Sequence, residues 1–117
     1  MPLAFGTTIS DGPYLKVFTV TCLDNDAAAD LAVAFDGAAG RPTAFAQDVL
    51  RPGVAPLRVG VVRIDTGAAG QQGAGSEFSY HTATAAGLTV RKLTASGAGA
   101  NTVTVQVTAD AVHALGR

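Results

Sequence analysis

The segment Thr102-Val103-Thr104-Val105-Gln106-Val107-Thr108 alternates strictly between two kinds of side chain. Valine holds every odd position, and Thr or Gln every even one. On an extended backbone, where successive side chains point to opposite faces, this order makes one wall of valine and one of hydroxyls and amides. A helix would scatter both kinds around its circumference. The stretch therefore reads as a strand with a dry face and a wet face.

A similar period of two runs through 56–65, Pro-Leu-Arg-Val-Gly-Val-Val-Arg-Ile-Asp, and less regularly through Leu88-Thr89-Val90-Arg91-Lys92-Leu93. Further segments rich in β-branched and aromatic residues lie at 14–23, 29–36, 43–50 and 77–84. Strand signals recur about every ten to fifteen residues between Gly, Pro, Asp and Asn clusters, the spacing of a sandwich or barrel. The expectation is an all-β, antiparallel, single-domain β-sandwich or β-barrel of about seven strands. No window longer than about ten residues keeps a helical apolar period free of Gly or Pro. Short helical turns are expected at most at 110–115, with Asp110 as N-cap, and at 26–30. Phe18, Phe35, Phe45 and Phe78 each sit in a strand segment and are expected to anchor the core, with Tyr14 and Tyr80 at its edge.

Two breaks interrupt the pattern: Arg51-Pro52-Gly53-Val54-Ala55-Pro56, a Pro-Gly turn, and the glycine-rich run 66–76. Each half holds too few strands to close a core, so both read as connections within one domain. The division expected is an extended N-terminal arm over 1–12 and a β domain over 13–117. Within the arm, Leu3, Phe5 and Ile9 are apolar residues that a terminus would expose, which makes them the expected partner contacts.

The chain has 117 residues, a formal net charge of -1 and 15% charged residues, where about 25% is ordinary. Its mean hydropathy is +0.30. Basic residues are spread from Lys16 to Arg117 without a cluster, which argues against a nucleic-acid footprint. Cys22 is the only cysteine, so no intrachain disulfide can form, and a reducing site of synthesis is expected. Residues 1–10 lack the basic and apolar runs of an export signal, and no stretch of about 18 apolar residues occurs, so neither secretion nor membrane insertion is expected. So little charge implies that part of the surface is covered by a partner or by copies of the chain. The competing explanation is compositional: many Ala and Gly, with six Arg to two Lys, raise hydropathy without making a sticky patch.

Candidate chemistry is sparse. The run 66–76 has the glycines of a phosphate cradle but no Lys or Arg, and it is flanked by Asp65 and Glu77, which would repel phosphate. Asp24, Asn25, Asp26 and Asp30 offer calcium-type oxygens, yet Ala29 and Phe35 stand where an EF-hand wants Gly and Glu; a turn capped by these side chains accounts for them. His81 and His113 lie far apart and lack the further ligands a tetrahedral zinc needs. Ser76 or Ser79 with His81 and an aspartate supplies the residue types of a hydrolytic triad without its local signature. Paired-carboxylate chemistry would fall to aspartates such as Asp36, Asp48 and Asp65, since Glu77 is the sole glutamate. No catalytic, cofactor-binding or metal residues are assigned, no cofactor is expected, and the absence of Trp weighs against a sugar or single-strand stacking platform.

The segment His81-Thr82-Ala83-Thr84-Ala85-Ala86-Gly87-Leu88-Thr89-Val90-Arg91-Lys92-Leu93, with Thr102 to Val107 after a small-residue turn, resembles the closing hairpin of small β-rich virion proteins of tailed bacteriophages. These include capsid decoration, or cement, proteins and minor head or tail components. The resemblance covers about the C-terminal third. It implies a non-enzymatic protein made in a host cytoplasm and carried in the virion, binding across major capsid subunits and associating with itself, with neither nucleic acid nor membrane as partner. The alternatives are an independent β-sandwich module for carbohydrate or peptide, and a tail or head-completion component.

Overall fold

The computed structural model of the chain describes residues 3–23, 27–45, 58–64, 78–93 and 102–111. They form seven strands in two antiparallel sheets: β1 (Ala4–Asp11), β2 (Leu15–Leu23), β3 (Ala29–Ala34), β4 (Arg58–Arg63), β5 (Phe78–Thr84), β6 (Gly87–Lys92) and β7 (Thr102–Asp110). One sheet runs β1-β2-β7-β4, the other β3-β6-β5. Only β1–β2 and β5–β6 are hairpins; each remaining connection passes between the sheets. The single described helical element is a 3-10 turn at Ala38–Gly40. The expectation of an all-β, antiparallel sandwich or barrel of about seven strands holds, as a two-sheet arrangement.

The opening stretch becomes β7, the inner partner of both β2 and β4. Val103, Val105 and Val107 are fully buried, and they face Phe18, Val20 and Cys22 of β2 across a nine-residue ladder without a register shift. Against this wall the smaller sheet sets Val33, Phe78, Leu88 and Val90. The four phenylalanines named from sequence are all buried. A chain of rings runs through the core: Phe5 stacks on Phe18, Phe18 meets Phe35 edge-on, and Phe35 meets Phe45, with centroids 6.0 Å apart each time.

Residues 35–45 form a strap across one end of the two sheets. Phe35 N–H donates to Ala86 O and Phe45 N–H to Ala85 O, which ties the strap to the β5–β6 turn. Pro42 of the strap is buried, and the Thr8 hydroxyl donates to Gly40 O from β1. The β5–β6 turn needs its glycine, because a Cβ on Gly87 would lie 2.5 Å from Val33 O, a backbone atom of the neighbouring strand.

Several expectations shift. Residues 4–11 are a strand of the domain rather than an arm beside it. That strand carries two register shifts, and at the first of them the Thr19 hydroxyl accepts from Thr7 N–H in place of a regular ladder bond. Gly6 leaves room for that hydroxyl, since a Cβ there would lie 2.4 Å from it. The strand expected at 43–50 is irregular over Thr43–Phe45 and otherwise lies outside the described residues, so β1 takes the seventh place. The hairpin expected between 88–93 and 102–107 is absent, because β6 pairs with β3 and β5 while β7 lies in the other sheet. Asp110 ends β7, and Ala29 and Asp30 begin β3, so neither helical turn occupies those positions. The breaks at 51–56 and 66–76 lie outside the described residues.

Candidate functional site

Both lysines of the chain, Lys16 and Lys92, are buried, at 1% and 0% exposure. Lys16 falls in phase with Phe18, Val20 and Cys22, so the alternation of β2 carries its side chain inward. Its ammonium is met by Asp11 Oδ1 at 2.7 Å, Gly12 O at 3.0 Å and Thr43 Oγ1 at 3.3 Å, and it lies 4.9 Å from the centroid of the Phe45 ring. Asp11 also accepts from Thr43 N–H, and the Lys16 bond first of all, then the Thr43 bonds, hold its carboxyl below the ordinary carboxylate range. A shallow depression of about 440 Å³ lies over this group, lined by Asp11, Gly12, Pro13, Lys16, Thr43 and Ala44. Ligand sites are of this size but mainly apolar and aromatic. Here the charges neutralise each other, and the visible work of the cluster is to clamp the strap to the β1–β2 turn.

A second cluster stands on the outer face of the smaller sheet. Register places Asp30 of β3 opposite Arg91 of β6, and Arg91 opposite Ser79 of β5. The Arg91 guanidinium grips Asp30 with a fork, Nε to Oδ1 at 2.8 Å and Nη2 to Oδ2 at 3.1 Å. His81 Nε2 lies 3.3 Å from Asp30 Oδ2, and its Nδ1 lies 2.9 Å from the Thr82 hydroxyl. Thr82 sits at φ 55°, an uncommon conformation for a β-branched residue, within the register shift of β5. Asp30, His81 and Thr82 thus form the acid, base and hydroxyl of a triad-like line, with Thr82 in the place expected of Ser76 or Ser79. Water reaches all of it: the Asp30, His81 and Arg91 side chains are 40–47% exposed, whereas electrostatic catalysis depends on a water-excluded site. The arrangement is a surface ion network.

That network has a pH signature. The Arg91 fork, ahead of the His81 contact, lowers the Asp30 carboxyl from 3.8 to about 2. The folded state therefore binds this proton less readily than the unfolded chain. The stability that Asp30 contributes is fully present above about pH 4 and is lost as pH falls towards 2. Asp30→Asn should unfold at lower urea than the parent at pH 5, and the gap should close by pH 2. A gap independent of pH would mean that the charge is not its source.

The outer face of the four-stranded sheet is different in kind. Outward positions of β7 are Thr102, Thr104, Gln106 and Thr108, flanked by Val17, Thr19, Thr21 and Leu23 of β2. On β4 the outward residues include Gly60 and Val62, and Ile64 follows with its N–H on Thr104 O. Val62 is 59% exposed and Ile64 48%. Charge enters among the described outward positions at one end alone, where Arg58 faces Asp110. A sheet face meant for water ordinarily carries charge, lysine above all.

Of the three partner contacts expected at the N-terminus, Leu3 is buried, Phe5 packs on Phe18, and Ile9 is 56% exposed. Their apolar character serves the core in two cases out of three. His113, Ser76, Asp48, Asp65 and 24–26 lie outside the described residues, and Asp36 pairs with Arg41 through two contacts of 3.1–3.2 Å. Among the described residues, no group of three or more His, Cys, Asp or Glu stands close enough to hold a metal ion, and no helix is long and apolar enough to cross a membrane. The fold is a two-sheet antiparallel β-sandwich with one ionic outer face and one whose described residues carry charge only at the Arg58–Asp110 end. No protein-family model, curated protein or solved structure matches the chain.

Proposed function

We propose that the chain is a non-enzymatic structural protein of a virion, a decoration protein that binds across the major capsid subunits of an assembled shell. The observation that carries this reading is the Thr/Val outer face of the four-stranded sheet, bordered by exposed Val62 and Ile64 and with described charge only at its Arg58–Asp110 end. Such a face is a poor water boundary and a good contact surface. The burial of both lysines adds to it, because surface ammonium groups would otherwise resist association. The resemblance of 81–93 and 102–107 to small virion proteins supplies the class of partner.

A protein that binds only the assembled state shifts the assembly equilibrium towards that state. The chain is therefore expected to co-sediment with shells formed by the capsid protein of its own phage, to leave free capsid subunits behind, and to raise the temperature at which shells disrupt. Equal binding to free subunits and shells, or no binding to either, would overturn the reading.

A further inference from the structure

We propose that the outer face of the four-stranded sheet is a homodimer interface, on which a second copy of this chain packs face to face; the inference rests on the assembly reading above and gives this face to self-association, so that the dimer meets the shell through its remaining surface. Three observations point to a second copy.

The first is charge. In a two-fold interface the same patch meets itself, so like charges near the axis face one another. The Thr/Val face has no described charge over Val17 to Leu23 of β2 or Thr102 to Thr108 of β7, so self-pairing brings no repulsion. At its one charged end Arg58 and Asp110 are opposite in sign and stand side by side in register. The face bearing Asp30, Arg91 and His81 would instead have to take a whole ion network out of water.

The second is area. β2 and β7 each run for nine residues, and the sheet is four strands wide. With eight residues in β1 and six in β4, at about 3.3 Å per residue and about 4.8 Å between strands, the face covers roughly 500 Å². Two copies would bury roughly 1,000 Å², the least that a specific interface needs.

The third is shape. The long β2–β7 ladder has no register shift, and the side chains it projects are short and mostly β-branched. Such a surface can stack on another sheet at about 10 Å. Threonine adds hydroxyls that can bond across the interface or to retained water.

The test is light scattering on the full chain after size exclusion, over about 1 to 200 µM. The parent is expected to have twice the chain mass at the upper concentrations. Val62→Lys combined with Thr21→Lys places charges on two strands of the face and should return the chain mass, with unchanged far-ultraviolet circular dichroism. Ala32→Lys, on the outer face of the other sheet, should remain dimeric. If the double variant loses its fold, Gln106→Glu replaces it: the change is near-isosteric and sets two carboxylates into the interface, so at least a tenfold weaker dimer is expected. A parent monomeric throughout overturns the homodimer, as does a dimer indifferent to both sets of changes. The broader reading is separable. If the parent is monomeric but the lysine variants no longer co-sediment with shells, the face belongs to the capsid subunit; if the parent dimerises and never binds shells, the decoration role fails while the dimer stands.

Discussion

Phe18→Ala should destabilise the fold by about 3–5 kcal/mol, a large part of the roughly 5–15 kcal/mol a domain of this kind holds. The ring is fully buried on β2 and is the junction between the two sheets, stacked on Phe5 of β1 and edge-on to Phe35 of the strap. Truncation removes its transfer energy and leaves a cavity between elements fixed by backbone ladders on both sides, so collapse can recover little. Two aromatic contacts are lost with it, each worth about 0.5–1.5 kcal/mol beyond burial. Urea denaturation reads the result as a lower midpoint at unchanged slope. Tyr80→Ala, at a site 38% exposed, is the control and should shift the midpoint far less. Equal shifts for the two would contradict the assignment of Phe18 to the junction.

The second large effect concerns the buried ammonium. Asp11→Ala should cost about 3 kcal/mol, the low end for breaking a buried pair, because the Asp11 side chain is itself a third exposed and water can partly replace it. Lys16 is left with Gly12 O, Thr43 Oγ1 and the Phe45 ring, none of which carries a formal negative charge. Lys16→Met keeps the apolar stem and removes the charge, and should cost no more than about 1 kcal/mol. The decisive variant is the double, Asp11→Ala with Lys16→Met. It should be more stable than Asp11→Ala alone, because the uncompensated charge is gone and what remains lost is the carboxylate's grip on Thr43. A double variant as unstable as the sum of the two singles would show that the stranded charge is not the cause. Acid should act on the same pair. Lys16 lowers the Asp11 carboxyl, so the stability it contributes holds above the ordinary carboxylate range and fades as pH falls through the lowered value.

Much of the core was legible because alternation is a local property. The valines of β7 and the four core phenylalanines follow from period and residue type alone. The same period, applied strictly, also places Lys16 with Phe18, Val20 and Cys22, and Lys92 with Leu88 and Val90, although lysine is a residue rarely buried. The signal for both buried lysines was present in their phase. β1 was harder to see, since two register shifts break its alternation and leave the burial of Leu3 and Phe5 out of step with Ile9. It reads as a greasy arm because an interrupted period resembles none.

The candidate surface was only half visible. Low overall charge announces that some surface is uncharged, but not which. Asp30 and Arg91 are 61 positions apart and become partners only through the β3–β6 register. The Thr/Val face likewise exists because β7 enters between β2 and β4 rather than closing a hairpin with β6.

A two-residue period has one economical burial, so the strands and their valine and phenylalanine interior follow from local residue order. Which strands are neighbours is set in the folded chain, and with it the placing of the Asp30–Arg91–His81 network outside one sheet and of the Thr/Val face, charged at its Arg58–Asp110 end, outside the other. Sheet order and register depend on contacts between residues remote in the chain, and no local pattern encodes them.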